Sequence, residues 1–145
     1  MTEKNILNKR IIFFFIVFIF ITMNLIIMSC SNPKVYKIGV LHGIGPIYDL
    51  TDAFRENMTN MGYVEDENII YDMKEAIVDM EAYENIIKQF IKDKVDCIYV
   101  YPTEAAIIAK NITQGTGIPV VFNIAFIEGT DLIDDIRNPG GNMTG

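Results

Sequence analysis

The chain has 145 residues, half of them hydrophobic, a formal net charge of −7 and only two cysteines. That length holds one domain of ordinary size and excludes two. The acidic balance argues against nucleic acid as a partner, and two cysteines exclude a disulfide framework, so stability must come from an apolar core.

The first thirty residues stand apart from the rest. Lys4, Lys9 and Arg10 precede an unbroken apolar run, Ile11 to Ile21, and Ile27-Met28-Ser29-Cys30 has the apolar-x-small-Cys form of a lipoprotein cleavage site. A basic start, a short apolar stretch and a small residue before the cut describe an export signal over residues 1–29, with Cys30 lipidated and 30–34 as a tether. A second reading keeps Ile11 to Met28 as an uncleaved membrane anchor, near the lower length limit and interrupted by Thr22 and Asn24. Both readings put the remainder outside the cytoplasm. Removing residues 1–29 takes away three basic residues and one acidic one, moving the net charge from −7 to −9.

The first predicted strand is Val35–Leu41, followed by the glycine-rich turn His42-Gly43-Ile44-Gly45-Pro46. Leu50, Phe54, Met58 and Met61 then recur at helical spacing, with Asp49 and Thr51 as alternative caps and Gly62 at the place of a left-handed C-terminal residue. A second strand is expected over Asn68–Met73. The next helix runs over Met80–Lys92, with Tyr83, Ile86, Ile87, Phe90 and Ile91 on its apolar face. Its acidic residues fall early and its lysines late, as the helix dipole favours, and Glu84 and Lys88 are an i,i+4 pair.

Cys97–Tyr101 lacks polar alternation and is rich in β-branched and aromatic residues, which fits a parallel strand buried on both faces. Pro102 stops it, Thr103 is the expected N-cap of a helix over Glu104–Asn111, and Ile118–Phe122 is the following strand. Beyond it the pattern weakens to a loop at Asn123–Glu128, a short helix at Gly129–Ile136 and a turn at 138–142. The order β-α-β-α-β-α-β specifies an α/β domain: an open parallel sheet with helices on both faces. Right-handed crossovers place the carboxyl ends of its strands along one edge, where such sheets bind ligands.

Catalysis finds little support. The only serines are Ser29 and Ser31, at the processing site, and His42 is the sole histidine, so neither a nucleophile elbow nor a zinc site is expected. Cys97, in mid-strand, reads as an inert core residue, and Gly43-x-Gly45 lacks the third glycine of a dinucleotide loop. No cofactor is expected. Binding fits better. Thr103 opens a helix at a strand's carboxyl end, where free N–H groups suit a carboxylate or phosphate, although it also reads as a plain cap. Glu104 adds negative charge there, Tyr101 reads either as a stacking platform or as filler of the sheet edge, and Asn123 brings two-way hydrogen bonding.

Several segments, in order, resemble the bacterial ABC-transporter substrate-binding lipoproteins of the tryptophan/tyrosine-binding type. They are Lys37-Ile38-Gly39-Val40-Leu41, Gly62-Tyr63-Val64-Glu65 with Asn68, Lys94-Val95-Asp96-Cys97-Ile98, Thr103 with Ala105-Ala106, Ile118-Pro119-Val120-Val121-Phe122, and Pro139-Gly140-Gly141-Asn142-Met143-Thr144-Gly145. The resemblance implies a flavodoxin-like lobe of the class I periplasmic-binding-protein kind, spanning residues 35–145. It implies no enzyme, but a protein that closes two lobes on a small ligand, an aromatic amino acid among the candidates, and delivers it to a membrane ABC permease. The ligand would meet His42, Gly43 and Ile44 after strand one, Tyr101, Pro102, Thr103 and Glu104 after strand three, and Asn123 and Ala125 after strand four. Pro102 replaces the family's usual glycine and Glu104 a frequent proline. The family chain is about twice this long and this one stops where a fifth strand should begin, so the second lobe is expected to be missing. The alternative function is an extracytoplasmic sensing domain on a membrane-anchored receptor.

Overall fold

A computed structural model describes residues 12–18, 34–44 and 48–145. Residues 12–18 are helical and belong to a unit separate from the body, Lys34–Gly145. The rest of the export segment, Cys30 included, lies outside the described residues. Among the described residues no helix is long and apolar enough to cross a membrane.

The body is built on β1 (Tyr36–His42), β2 (Ile69–Glu75), β3 (Cys97–Tyr101), β4 (Val120–Phe122) and β5 (Met143–Thr144). All are parallel, in the order β2-β1-β3-β4-β5. The step from β1 to β2 runs toward one edge of the sheet, and the three later steps run toward the other. Crossovers of one hand therefore put α1 (Tyr48–Asn60) on one face and α2 (Met80–Lys92) and α3 (Thr103–Thr113) on the opposite face.

Alternation along β3 feeds both cores at once. Ile98 and Val100 face α2 and α3, together with Leu41, Phe90, Ala105, Ala106 and Val120. Tyr99 and Tyr101 point the other way, into a cluster with Ile38, Val40 and Ile69, where Phe54 of α1 stacks on Tyr99 at 4.5 Å between ring centroids. The absence of polar alternation in this strand is thus the signature of burial on both sides. At Gly39 of β1, a Cβ would lie 2.7 Å from the Phe90 ring, so α2 approaches the sheet as closely as it does only because that side chain is missing. The starts of β1 and β3 are tied together as well. Lys37 donates its backbone N–H to Asp96 Oδ2 at 2.8 Å, and the Lys34 ammonium and that N–H hold the Asp96 carboxyl below the usual carboxylate range.

The elements match the sequence reading closely at α2 and β3 and depart from it elsewhere. The true cap of α2 is Asp79, whose carboxylate accepts from the Ala82 N–H at 3.0 Å. Because α1 begins at Tyr48, neither Asp49 nor Thr51 caps it, and Met61 falls beyond its end, 65% exposed. No helix forms over Gly129–Ile136. Asp135 Oδ1 instead accepts from the N–H groups of Arg137 and Asn138, a local turn that competes with helix, while Leu132 is buried and pins the loop. The fifth strand, expected only beyond the chain, is present as Met143–Thr144 beside β4.

Ile98 is fully buried at the centre of this arrangement. Ile98→Ala should lower unfolding free energy by about 2–5 kcal/mol, a large share of what a small domain possesses. Urea denaturation checks it; a loss below ~0.5 kcal/mol would be out of keeping with a core position.

Candidate functional site

The carboxyl ends of β1 and β3 lie flush, with His42 opposite Tyr101. The ladder continues one residue past the strands, where Gly43 donates its N–H to the Tyr101 carbonyl at 2.8 Å. On the other side Asn123 donates its N–H to the Val100 carbonyl at 3.0 Å. These bonds bring three loops, and the residues singled out from the sequence, onto one edge of the sheet.

After β1, the His42 ring is half-buried and lies 24° from parallel to the Tyr101 ring, 6.1 Å away. Gly43 is buried, and Ile44 packs against the α1-side core. A Cβ at Gly43 would stand 2.1 Å from the Tyr83 hydroxyl and 2.8 Å from Pro102 Cδ, so the chain passes there only as glycine.

After β3, Tyr101 is 1% exposed and its hydroxyl is bonded to that of buried Thr51 at 2.8 Å. Burial pushes this phenol's pKa up. Of the two roles open to Tyr101, the ring fills the core. Pro102, joined to Tyr101 by a cis peptide bond, occupies the N-cap position of α3, and among the described residues no side chain caps that terminus. Thr103 is not the cap: it is the first helical residue, and its hydroxyl accepts from the Phe126 N–H at 2.8 Å. Proline stops the strand and starts the helix at the same residue, moving Thr103 one place inward. The Glu104 carboxylate is exposed in the first turn.

After β4, Asn123 is exposed, but its amide is engaged internally. It donates to the Tyr99 hydroxyl at 2.9 Å and accepts from the Ile124 N–H at 2.8 Å. Ala125 is half-buried against the α2/α3 core. Two neighbours on this edge were not legible from sequence. Phe126 is 80% exposed beside Thr103, and Val78, in the loop after β2, is 75% exposed in a left-handed backbone conformation (φ 51°). A lone phenylalanine or valine in a loop carries no sequence signal of this kind.

The edge therefore presents main-chain N–H groups at the start of α3, exposed carboxylates that include Glu75 and Glu104, and apolar side chains. Among the described residues, no group of three or more metal-ligating side chains gathers. Cys97 sits mid-sheet, with its thiol pKa raised by burial, away from any role as a nucleophile.

Residues 37–145 match the family model of the ABC transporter substrate binding protein. The chain belongs to that family. Its members bind substrates and are not enzymes. Within the family, the chain is 32% identical over 98 residues to the tyrosine-binding protein of Clostridioides difficile, covering 64% of this chain and 27% of that one. Two solved structures are similar at a TM-score of 0.69, each covering 77% of this chain and 38% of the other. One, at 30% identity, is the ligand-free, open form of a substrate-binding protein with adhesive properties from Clostridium difficile. The other, at 27%, is an ABC domain from Streptococcus pneumoniae in complex with L-Trp. The fold is accordingly that of a lobe of the periplasmic-binding-protein kind.

Gly43→Ala tests how tightly the edge is built. With its Cβ inside the Tyr83 hydroxyl's space, the variant should lose about 1–3 kcal/mol of stability. Urea titration reads the loss. A variant as stable as the parent would mean that the loop after β1 shifts freely and is not fixed in place.

Proposed function

We propose that residues 35–145 form one lobe of an exported solute-binding protein, and that the carboxyl edge of its sheet supplies one wall of a ligand cleft. The observation that carries the reading is the convergence of three loops there, joined by the Gly43–Tyr101 and Phe126–Thr103 bonds, both 2.8 Å. The ligand class is an amino acid, with an aromatic one preferred. Its carboxylate would accept from the N–H groups at the start of α3, which have no side-chain cap among the described residues. Its ammonium would pair with the exposed Glu104 carboxylate, resolving the apparent conflict of a negative charge at an anion site. The apolar neighbours Ile44, Ile124 and Phe126 suit a ring better than a polar side chain. A tyrosine-binding relative and a relative solved with L-Trp support the same class.

In this reading, a second lobe closes over the ligand and the loaded protein hands it to a membrane ABC permease. Cys30 carries the lipid that holds the protein on the outer face of the cell membrane. Lipid labelling lost in Cys30→Ala would support the anchor; labelling that persists would remove it.

Closure of two lobes buries most of a ligand and excludes water. One wall supplying half of a micromolar complex's ~8 kcal/mol leaves binding near millimolar. Calorimetry with L-tryptophan and L-tyrosine should therefore give only weak binding for residues 30–145, and tight binding once the segment is joined to a complete second lobe. Thr103→Val should weaken the tight complex by freeing the Phe126 loop. Micromolar binding by the isolated segment would overturn the one-wall reading.

A further inference from the structure

We propose that the Tyr83 hydroxyl is a positioning group for the cleft edge, a latch that holds the loops after β1 and β2 at a fixed spacing. The proposal rests on the binding reading above and assigns a role to a residue that reads, in sequence, as one more member of an apolar helix face. Tyr83 lies near the start of α2 and is fully buried. Its hydroxyl donates to the Gly43 carbonyl at 2.9 Å and accepts from the Val78 N–H at 3.1 Å. The same Val78 N–H also reaches the Gly43 carbonyl, at 3.3 Å. The Gly43 N–H is already held by Tyr101, so the loops after β1, β2 and β3 meet at one buried point.

A phenylalanine would fill the core equally well. What the hydroxyl adds is two bonds, both to main-chain groups of edge loops and neither to its own helix. The phenol is itself held by complete burial in the core, on a helix start fixed by the Tyr83 N–H bond to the Asp79 carbonyl at 3.0 Å and by the Asp79 cap. Val78 needs such a hold. A β-branched residue adopts its left-handed backbone at a cost, and persists there only when its surroundings dictate it. A pre-set edge spares the ligand the ordering of two loops, which is how a buried bond away from the ligand raises affinity.

Tyr83→Phe, which removes only the hydroxyl, is the test, with Ile87→Val as control. The control trims a buried methyl one turn further along the same helix and leaves the Tyr83 hydroxyl in place. In Tyr83→Phe, amide exchange at Val78 should accelerate about tenfold, and the Kd for L-tryptophan, read by NMR titration, should rise at least ~3-fold. Both readouts should stay at parent values in Ile87→Val, measured at a temperature where all three proteins are folded and Val78 exchanges by local opening of its loop rather than by global unfolding. Unchanged exchange at Val78, or unchanged affinity in Tyr83→Phe, would overturn the proposal. A parent that binds neither L-tryptophan nor L-tyrosine would instead sink the ligand reading, and Val78 exchange would still decide whether the latch exists.

Discussion

The pairing of β1 with β3 is the constraint from which the rest follows. β1 is hydrogen-bonded on both sides, and its register with β3 sets His42 against Tyr101, so that the two strands end together. Parallel pairing in that register forces every connection to cross over, and the common handedness of the crossovers sorts the helices to the two faces. It also returns every strand with its carboxyl end on the same side. The Gly43 N–H, bonded to the Tyr101 carbonyl, carries the ladder one step into the loops. The shared edge of strand ends is thus a consequence of the sheet's direction, and it is the edge at which open parallel sheets bind ligands.

Much of this was legible because β3 and α2 are governed by period and burial alone. Cys97–Tyr101 has no polar face, so it had to be central, and the apolar face of Met80–Lys92 recurs with helical spacing. Where local polar groups compete with the backbone, the reading failed. Asp135 folds Arg137 and Asn138 into a turn where a helix was expected, and the two-residue β5 is too short to show any period. Thr103 was read as a cap because threonine favours that place, yet the backbone angles of Pro102 take it first (φ −87°, ψ −156°).

At the edge itself, sequence named three loops that the sheet brings together and left the side-chain roles open. Tyr101 and Asn123, the two most versatile residues there, turn out to be committed inward, to Thr51 and to Tyr99. Facing outward instead are the backbone at the start of α3, which no described side chain caps, the Glu104 carboxylate and the exposed Phe126. Of these, only Phe126 is unmarked in the sequence, since the exposure of a ring is a property of the folded chain. The polar groups that look functional in the sequence here serve mainly to hold the groups that face outward.

Mapping where L-tryptophan touches the folded chain tests the central claim most directly. In a backbone-amide NMR titration of residues 30–145, shift changes should gather at His42 to Ile44, Thr103 to Ala105 and Asn123 to Phe126, the three loops of the carboxyl edge. Changes gathered instead at the opposite edge, around Asp66 to Asn68 and Asp93 to Lys94, or in the apolar groove of about 270 Å³ between α1 and the sheet beside Cys97 and Val121, would contradict it.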